Sequence, residues 1–252
     1  MISKTQIKDI KALHLPKLRQ IYNKFIAEGD KVCIEFLKSQ KYQVLHIYIT
    51  IGNEFYFEAY IKDRTADLTM VSPKEMEQLS ALKTPSNILL LIERAEDNTI
   101  VLLNNSLSAI YLDGVQDPGN VGTIIRIADW FGVDVVIRSH ESADYFNPKV
   151  VQASMGSMVN VHLCTSTLQQ LLPFNRMIYG AFTNGLYVSK CNMENNAIII
   201  MGNEGKGISS ENEQYITGKI SIPGASNRIA ESLNVSIAAG IICAAWKKQV
   251  FD

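Results

Sequence analysis

From residue 107 onward the sequence repeats one pattern: a short apolar run, a polar or glycine-rich loop, and a segment in which apolar residues recur at helical spacing. Near-continuous apolar strands that alternate with helices are typical of a mostly parallel sheet covered on both faces. Predicted strands lie at Ala109–Val115, Asp134–Arg138, Val159–Leu163, Met177–Phe182, Ile198–Met201 and Lys219–Ile222. The pattern therefore predicts an α/β domain over residues 107–252.

The first 95 residues show a different pattern. Residues 3–40 have the apolar spacing of helices, and His46–Ile51 and Ile88–Glu93 have the composition of strands. Together they predict a smaller α/β/α domain over residues 1–95. A polar stretch follows this domain, and we place a linker at residues 96–106.

Composition excludes several classes of protein. The 47% of hydrophobic and 19% of charged residues are typical of a globular chain with a sizeable core, and no run approaches the ~20 apolar residues of a membrane span. The N-terminus lacks the apolar segment of a signal peptide, so we expect a cytoplasmic protein. The four cysteines are scattered without metal-ligand spacing, so we expect them to be reduced and expect no metal site.

The net charge of −1 hides an uneven distribution of charge. Residues 1–41 hold nine lysines and arginines against four acidic residues, so the rest of the chain is acidic. Such an asymmetry is typical of an end that faces a polyanion. Solvated helical faces rich in lysine would produce the same count, and both interpretations stay open.

The first loop with candidate chemistry is Gln116–Gly122, which connects a strand to a helix predicted over Thr123–Phe131. Arg126 points away from the predicted core face of this helix. An arginine beside a helix N-terminus and a glycine-rich turn suits an anionic or sugar-phosphate group. The alternative is a surface arginine paired with a nearby carboxylate.

The outer face of the same helix is also apolar. Ile125 and Trp130 lie off the core face, which Ile124, Ile127, Ala128 and Phe131 form. An apolar outer face predicts a second buried surface, such as a subunit interface.

The second loop, Gly202–Gly207, holds three glycines after a strand. It is not a Walker A loop, because Ile208 stands where that motif has lysine, and it lacks the G-x-G-x-x-G order of a dinucleotide fold. A ligand without phosphates, contacted by main-chain groups, is therefore favoured. Glu204 is either the charged residue that contacts this ligand or a cap for the following helix.

The third loop follows Pro223-Gly224 and ends in Ser232-Leu233-Asn234, directly before a long helix. Serine and asparagine at a helix start present free N–H groups and short polar side chains. A smaller loop, Phe182–Gly185, also follows a strand and is expected to close the site.

In order, NVGTIIR (Asn120–Arg126), IMGNEGKGIS (Ile200–Ser209) and ISIPGASNRIAESLNVS (Ile220–Ser236) resemble the three signature motifs of the SpoU, or TrmH-like, RNA methyltransferases of the SPOUT superfamily. The resemblance covers about residues 107–247. Residues 1–95, more loosely, look like the L30e-like RNA substrate-binding domain of this family. One departure is the longer loop Ala225–Ala230, which puts contacts near Asn227 and Arg228 in doubt.

The resemblance implies a ribose 2′-O-methyltransferase that uses S-adenosylmethionine, with a trefoil knot in the C-terminal domain and a homodimer formed through it. It implies a structured RNA substrate, and the added N-terminal domain favours ribosomal RNA over tRNA. The catalytic residues carried over are Asn120, Arg126, Glu204 and Asn234. The cofactor-binding residues carried over are Thr183, Gly202, Ile222, Ser232, Leu233 and Asn234. Candidate RNA contacts in the basic N-terminal segment are Lys8, Lys11, Lys17 and Arg19.

Our mechanistic hypothesis is that Arg126 clamps the phosphate next to the target ribose and stabilises the developing alkoxide, while Asn120 fixes the geometry. A guanidinium stays protonated at neutral pH and is a poor proton acceptor. The alternative function is a non-catalytic RNA-binding or assembly protein that keeps the fold. A nucleotide hydrolase is disfavoured because the Walker pattern is absent.

Overall fold

The computed structural model describes residues 2–62, 65–96 and 107–251. Its helices are α1 (Lys4–Ala12), α2 (Pro16–Tyr22), α3 (Asp30–Lys38), α4 (Glu54–Ile61), α5 (Pro73–Leu79), α6 (Pro118–Trp130), α7 (Pro148–Ser154), α8 (Ser210–Glu213) and α9 (Val235–Phe251). Its strands are β1 (Lys24–Glu28), β2 (Val44–Thr50), β3 (Asp67–Val71), β4 (Ile88–Glu93), β5 (Ala109–Asp113), β6 (Val135–Arg138), β7 (His162–Thr165), β8 (Ile178–Tyr187), β9 (Ile198–Gly202) and β10 (Gly218–Ser221). Short 3-10 segments cover Ser157–Val159, Leu168–Phe174 and Val188–Lys190.

The chain forms two compact units. The first comprises Met1–Ala95 and Asp144–Val159, and the second comprises Glu96–Ala143 and Asn160–Asp252. Except for Glu96, the linker predicted at residues 96–106 lies outside the described residues. No helix in the described part of the chain is both long and apolar enough to cross a membrane.

The first unit is built on a four-stranded sheet of order β1-β4-β2-β3, in which β4 is antiparallel to β1 and β2. The prediction that residues 3–40 are entirely helical is wrong, because Lys24–Glu28 forms the edge strand β1. Phe25, Ile26 and Ala27 are all buried. A short strand that is buried on both faces is a continuous apolar run, and periodicity cannot distinguish such a run from a helical segment.

The segment Asp144–Val159 packs with the first unit, although its sequence position lies inside the range predicted for the second domain. The Phe146 ring lies 4.8 Å from the Phe25 ring, centroid to centroid. Asp144 accepts a 2.9 Å hydrogen bond from Nε of the buried Arg19. The segment therefore completes the hydrophobic core on the β1 side of this sheet.

The second unit contains a six-stranded sheet of order β10-β8-β9-β5-β6-β7. All five strand pairs are parallel, which confirms the predicted α/β class with a mostly parallel sheet. Tyr111, Ile137 and Ile200 of its central strands lie in one buried cluster. The trefoil knot stays a prediction.

Strand β8 differs from the prediction of a strand followed by a loop at Phe182–Gly185. It continues to Tyr187, but its pairing with β10 jumps from Gly180↔Lys219 to Leu186↔Ile220. Residues 181–185 therefore form a bulge inside the strand. A bulge leaves backbone groups out of the ladder and re-aims side chains, as the predicted loop would have done.

Candidate functional site

The candidate site lies at the carboxyl ends of neighbouring parallel strands. Strands β10, β8, β9 and β5 are adjacent and run in the same direction, so the segments that follow them emerge at one edge of the sheet. Ligands of open α/β sheets bind at this edge. The three motifs of the sequence analysis all follow such strand ends.

The first motif lies on a helix rather than in a loop. Helix α6 begins at Pro118, earlier than the predicted start at Thr123, and Asp117 is its N-cap. The Asp117 carboxylate accepts a 2.9 Å hydrogen bond from the backbone N–H of Asn120. Aspartate followed by proline is a helix-start signal that could have located this boundary from the sequence. Asn120 is therefore held in the first turn of a helix.

Hydrogen bonds join three of the four predicted catalytic residues. Asn120 Nδ2 donates to Glu204 Oε1 at 2.9 Å, and Asn234 Nδ2 donates to Asn120 Oδ1 at 3.0 Å. These bonds fix which amide atom is oxygen and which is nitrogen in both asparagines. Residues from all three motifs thus form one connected polar group.

Asn234 is anchored at the start of α9. Its Oδ1 accepts hydrogen bonds from the Ser236 backbone N–H at 2.9 Å and the Ser236 hydroxyl at 2.6 Å. An asparagine at this position satisfies donors that a helix start leaves free. With Oδ1 occupied in this way, the amide nitrogen is directed to Asn120.

The glycine-rich loop after β9 is a tight turn. Asn203 and Gly207 exchange two backbone hydrogen bonds of 2.9 Å, and Gly207 has φ +71°. A Cβ at Gly202 would lie 2.5 Å from the carbonyl carbon of Gly207, so only glycine lets the loop close over this strand end. The glycines therefore serve close approach of backbone to backbone.

The alternative role of Glu204 as a helix cap does not agree with the structure. Helix α8 begins at Ser210, and its N-cap is Ser209, whose hydroxyl accepts from the Asn212 N–H. Glu204 instead faces Asn120. Sequence reasoning missed its neighbour Asn203, which anchors the turn through its side chain; an asparagine that opens a glycine-rich turn was the available signal.

Arg126 stands apart from the other three catalytic candidates. It is exposed and makes no side-chain hydrogen bond or ion pair with the described residues of its unit, so the alternative of an arginine paired with a carboxylate does not hold. It follows Asn120 by six residues, which places it about 120° around the helix from Asn120. Trp130 lies one turn further along on the face of Arg126 and is 80% exposed.

The prediction that Ile125 belongs to the outer face of this helix is wrong. Its side chain is fully buried, together with those of Val121, Ile124 and Ala128. Helix α6 packs against both β6 and α9, so its buried face is wider than a single apolar stripe predicts. Trp130 alone of the two residues is exposed.

The six predicted cofactor residues lie after or near the ends of three adjacent strands. Thr183 is in the β8 bulge, Gly202 ends β9 and Ile222 follows β10, whereas Ser232, Leu233 and Asn234 precede α9. The bulge is fixed by a 2.9 Å hydrogen bond from the Ser221 hydroxyl to the Gly185 carbonyl. None of the six carries a charge, which suits a ligand without phosphate groups.

The predicted RNA contacts of the first unit divide into two groups. Lys8, Lys11 and Lys17 are exposed. Arg19 is fully buried, donates to the Leu13 and His14 carbonyls and pairs with Asp144 at 2.8 Å. Its guanidinium is used inside the unit, so the prediction that Arg19 contacts RNA is wrong.

The described residues hold four cysteines. Cys33, Cys164, Cys191 and Cys243 are all free, and burial raises the pKa of Cys243 to about 12. No group of three His, Cys, Asp or Glu side chains within residues 2–62, 65–96 and 107–251 could hold a metal ion.

Two protein-family models match the chain. A model of the SpoU rRNA Methylase family matches residues 108–244, and a model of the MRM3-like substrate binding domain matches residues 4–90. The chain is 30% identical over 251 residues to the 23S rRNA (guanosine(2553)-2'-O)-methyltransferase RlmP of Bacillus subtilis (strain 168), and the match covers 94% of each protein. The chain therefore belongs to the SpoU rRNA methylase family.

Solved structures show the same fold. A TrmH-family protein of Porphyromonas gingivalis superposes with a TM-score of 0.85 at 33% identity, covering 99% of both chains. The AdoMet-bound rRNA methyltransferase of Sinorhizobium meliloti superposes with a TM-score of 0.86 at 24% identity, covering 100% of this chain and 98% of that one. The predicted family, the fold class and the assignment as a methyltransferase are confirmed.

Proposed function

We propose that this chain transfers a methyl group from S-adenosylmethionine to a ribose 2′-hydroxyl of ribosomal RNA. The observation that carries the proposal is the connected polar group of Glu204, Asn120 and Asn234. These residues come from three motifs far apart in the sequence of a SpoU-family chain, and the fold brings them to one edge of the sheet. Structural roles alone do not require three such side chains to converge.

The preference for ribosomal RNA has two supports. RlmP of Bacillus subtilis, which is similar over nearly the whole chain, is by its name a 23S rRNA methyltransferase. The match of residues 4–90 to a substrate binding domain supports the prediction that residues 1–95 bind RNA. The exposed Lys8, Lys11 and Lys17 are the residues of this domain that we expect to contact phosphates. Such a substrate also fits the cytoplasmic location expected from the sequence.

The residues at the strand ends fit S-adenosylmethionine. The set is uncharged, and it combines the partly exposed Leu233 with the backbone of Gly202 and the β8 bulge, as an apolar ligand body with few polar groups requires. Thr183, Ile222, Ser232 and Asn234 complete the set. When bound, this cofactor supplies an activated methyl group on a sulfonium.

The chain's own side chains hold the 2′-hydroxyl for attack. Asn120 and Asn234 are locked by hydrogen bonds, so they position a ribose without reorganising. One oxygen of Glu204 accepts from Asn120, and the carboxylate makes no other hydrogen bond within the described residues. We assign its second oxygen to accept the 2′-hydroxyl proton. Arg126 clamps the adjacent phosphate and stabilises the developing alkoxide.

A homodimer explains why Arg126 faces away from the other three residues. Arg126 and Trp130 share one exposed face of α6, and α9 adds the exposed Ile237 and Ile241. Helices α6 and α9 pack against each other, with Ile127 next to Gly240. The exposed Trp130, Ile237 and Ile241 therefore lie on two neighbouring helices. We propose that two copies of the C-terminal domain pair through this surface and that each Arg126 reaches the partner's site.

The test is transfer of labelled methyl from S-adenosylmethionine to separated rRNA and tRNA, both purified from cells that lack this gene. We expect label in rRNA only, and mapping of the label to a ribose 2′-oxygen. Label in tRNA alone would overturn the substrate assignment. Tight cofactor binding without label in any RNA, including assembly intermediates, would favour a non-catalytic RNA-binding protein.

A further inference from the structure

The Asn203 side chain makes three hydrogen bonds around the loop that carries Glu204. Its Oδ1 accepts from the backbone N–H groups of Gly205 and Lys206, at 2.9 and 3.0 Å. Its Nδ2 donates to the carbonyl of Gly114 at 2.7 Å. The two acceptor bonds close the turn on itself, and the donor bond ties the turn to another segment of the chain.

Gly114, whose carbonyl accepts the bond from Asn203, begins the segment that leads to Asn120. Gly114 directly follows β5, has φ +70°, and is followed three residues later by Asp117, the N-cap of α6. Glu204, the next residue after Asn203, contacts Asn120 on that helix. The consecutive residues Asn203 and Glu204 therefore bond to the same neighbouring segment. Asn203 bonds to its start, at Gly114, and Glu204 bonds to its helix, at Asn120.

The far end of the loop is tied to the same strand. The buried Asp113, the last residue of β5, accepts a 2.7 Å hydrogen bond from the Ser209 N–H. The loop is thus fixed to β5 at both ends. Of these two bonds, the one made by the Asn203 side chain lies on the side that carries Glu204, directly after the last ladder pair of β5 and β9, Asp113 with Gly202.

Asparagine is the side chain that these bonds require. They need one acceptor and one donor on a short side chain, and aspartate supplies only the acceptor when ionised. An aspartate would also place a negative charge against the Gly114 carbonyl and beside Glu204. The loop would then keep its internal bonds and lose its tie to Gly114.

We infer that Asn203 is a positioning residue, which holds the loop so that Glu204 meets Asn120 and which affects methyl transfer through Glu204. The inference rests on the function proposed above. The Asn203 side chain bonds to Gly114, Gly205 and Lys206, and not to Asn120 or Asn234. Its effect on the reaction therefore passes through the loop.

The test compares kcat and KM for Asn203→Asp, Glu204→Gln and the double variant in the full-length protein. We expect Asn203→Asp to lower kcat by about 10- to 100-fold with a smaller change in KM for RNA, because small displacements of catalytic groups have effects of this size. In the double variant we expect no further loss beyond Glu204→Gln. The matched control is Gln214→Glu, which removes another amide donor to a backbone carbonyl in the same unit and should keep the wild-type kcat.

A wild-type kcat in Asn203→Asp would overturn the inference. It would also be overturned if the fold-losses of kcat in the two single variants multiplied in the double variant, as expected for a purely structural role. An inactive wild-type chain would instead count against the proposed function. In that case crystal structures of the wild type and of Asn203→Asp test the positioning role of Asn203, because the inference requires Glu204 to separate from Asn120 in the variant.

Discussion

Asn120 donates a 2.9 Å hydrogen bond from Nδ2 to the Oε1 of Glu204, a residue 84 positions further along the chain. Asn120 is held by the first turn of α6, and Glu204 is held by a glycine-rich turn after β9. Neither element alone specifies the distance between them. The parallel pairing of β5 with β9 does, because it brings both strand ends to the same edge of the sheet.

Replacing Asn120 by aspartate should give a kcat for methyl transfer that falls as the pH rises. Two carboxylates at hydrogen-bond distance cannot both ionise easily, so the pKa of one is raised and the pair must hold a proton to keep its contact. We expect a kcat about 10- to 100-fold below wild type that falls further as the pH rises. Asn120→Ala, which adds no titrating group, should keep the wild-type shape of the pH–rate profile; an identical profile for both variants would contradict the assigned contact.

Gly202→Ala should disrupt the loop, whereas Gly205→Ala should not. A Cβ at Gly202 would lie 2.5 Å from Gly207 carbon, but a Cβ at Gly205 meets only Asn203 Oδ1 at 3.7 Å. We expect Gly202→Ala to reduce the free energy of unfolding by about 1–3 kcal/mol, the usual cost of overpacking, and to weaken cofactor binding. Urea unfolding and calorimetric titration with S-adenosylmethionine measure both effects. Equal behaviour of the two variants would show that the loop is not closed over Gly202.

Arg126→Ala should lose transfer while the affinity for S-adenosylmethionine changes little, because we propose that Arg126 binds the RNA and not the cofactor. Mixing Arg126→Ala with Asn120→Ala subunits tests where the arginine acts. If each Arg126 serves the partner's site, mixed dimers contain one site with both residues intact, and activity returns. Activity that stays absent after subunit exchange would place Arg126 in its own subunit's site, and loss of cofactor binding in Arg126→Ala would refute its role altogether.

Trp130→Ser should weaken the homodimer. The side chain is 80% exposed in a single chain, and large aromatic residues contribute strongly to the centres of interfaces. Sedimentation equilibrium should show dissociation at concentrations where the wild type is dimeric, with transfer reduced in parallel. Exposed Tyr56 of the first unit offers a control, since Tyr56→Ser removes a similar aromatic side chain that is not among the proposed interface residues. A wild type that is monomeric would remove the basis of the dimer proposal.

The first unit should lose stability as the pH falls below neutrality. Burial lowers the pKa of His46, whose Nε2 lies 2.8 Å from Thr69 Oγ1, and Asp67 opposes the shift only in part. Burial lowers the pKa of His14 as well. The unfolded chain then binds more protons, so stability is full above the unfolded pKa of about 6.5 and declines as the pH falls from there through the folded values.

We expect His46→Gln to flatten this dependence, measured as the urea midpoint between about pH 7.5 and pH 5, the range around the ordinary histidine pKa. His140 is exposed, and His140→Gln is the matched control that should leave the slope as in the wild type. A slope that is unchanged in His46→Gln would show that another group carries the linkage.

Local patterns in the sequence determined much of this protein. The near-continuous apolar strands of the second half predict the parallel sheet, because burial on both faces requires them. The three ordered motifs identify the family and name Asn120, Glu204 and Asn234. The helix start after Asn234 follows from short-range capping chemistry, which depends on few neighbouring residues. Asp117-Pro118 carries a signal of the same kind for α6, although the predicted start of that helix was Thr123.

Tertiary structure decided what depends on contacts between distant residues. Whether Arg19 faces solvent depends on Asp144, more than a hundred residues away, and no local pattern encodes that pairing. The sequence of β1 is compatible with a helix, since an apolar run buried on both faces has no diagnostic period. Its pairing with β4 identifies it as a strand. The link from Asn203 to Gly114, and with it the position of Glu204, exists only because parallel pairing of β5 and β9 places their ends side by side.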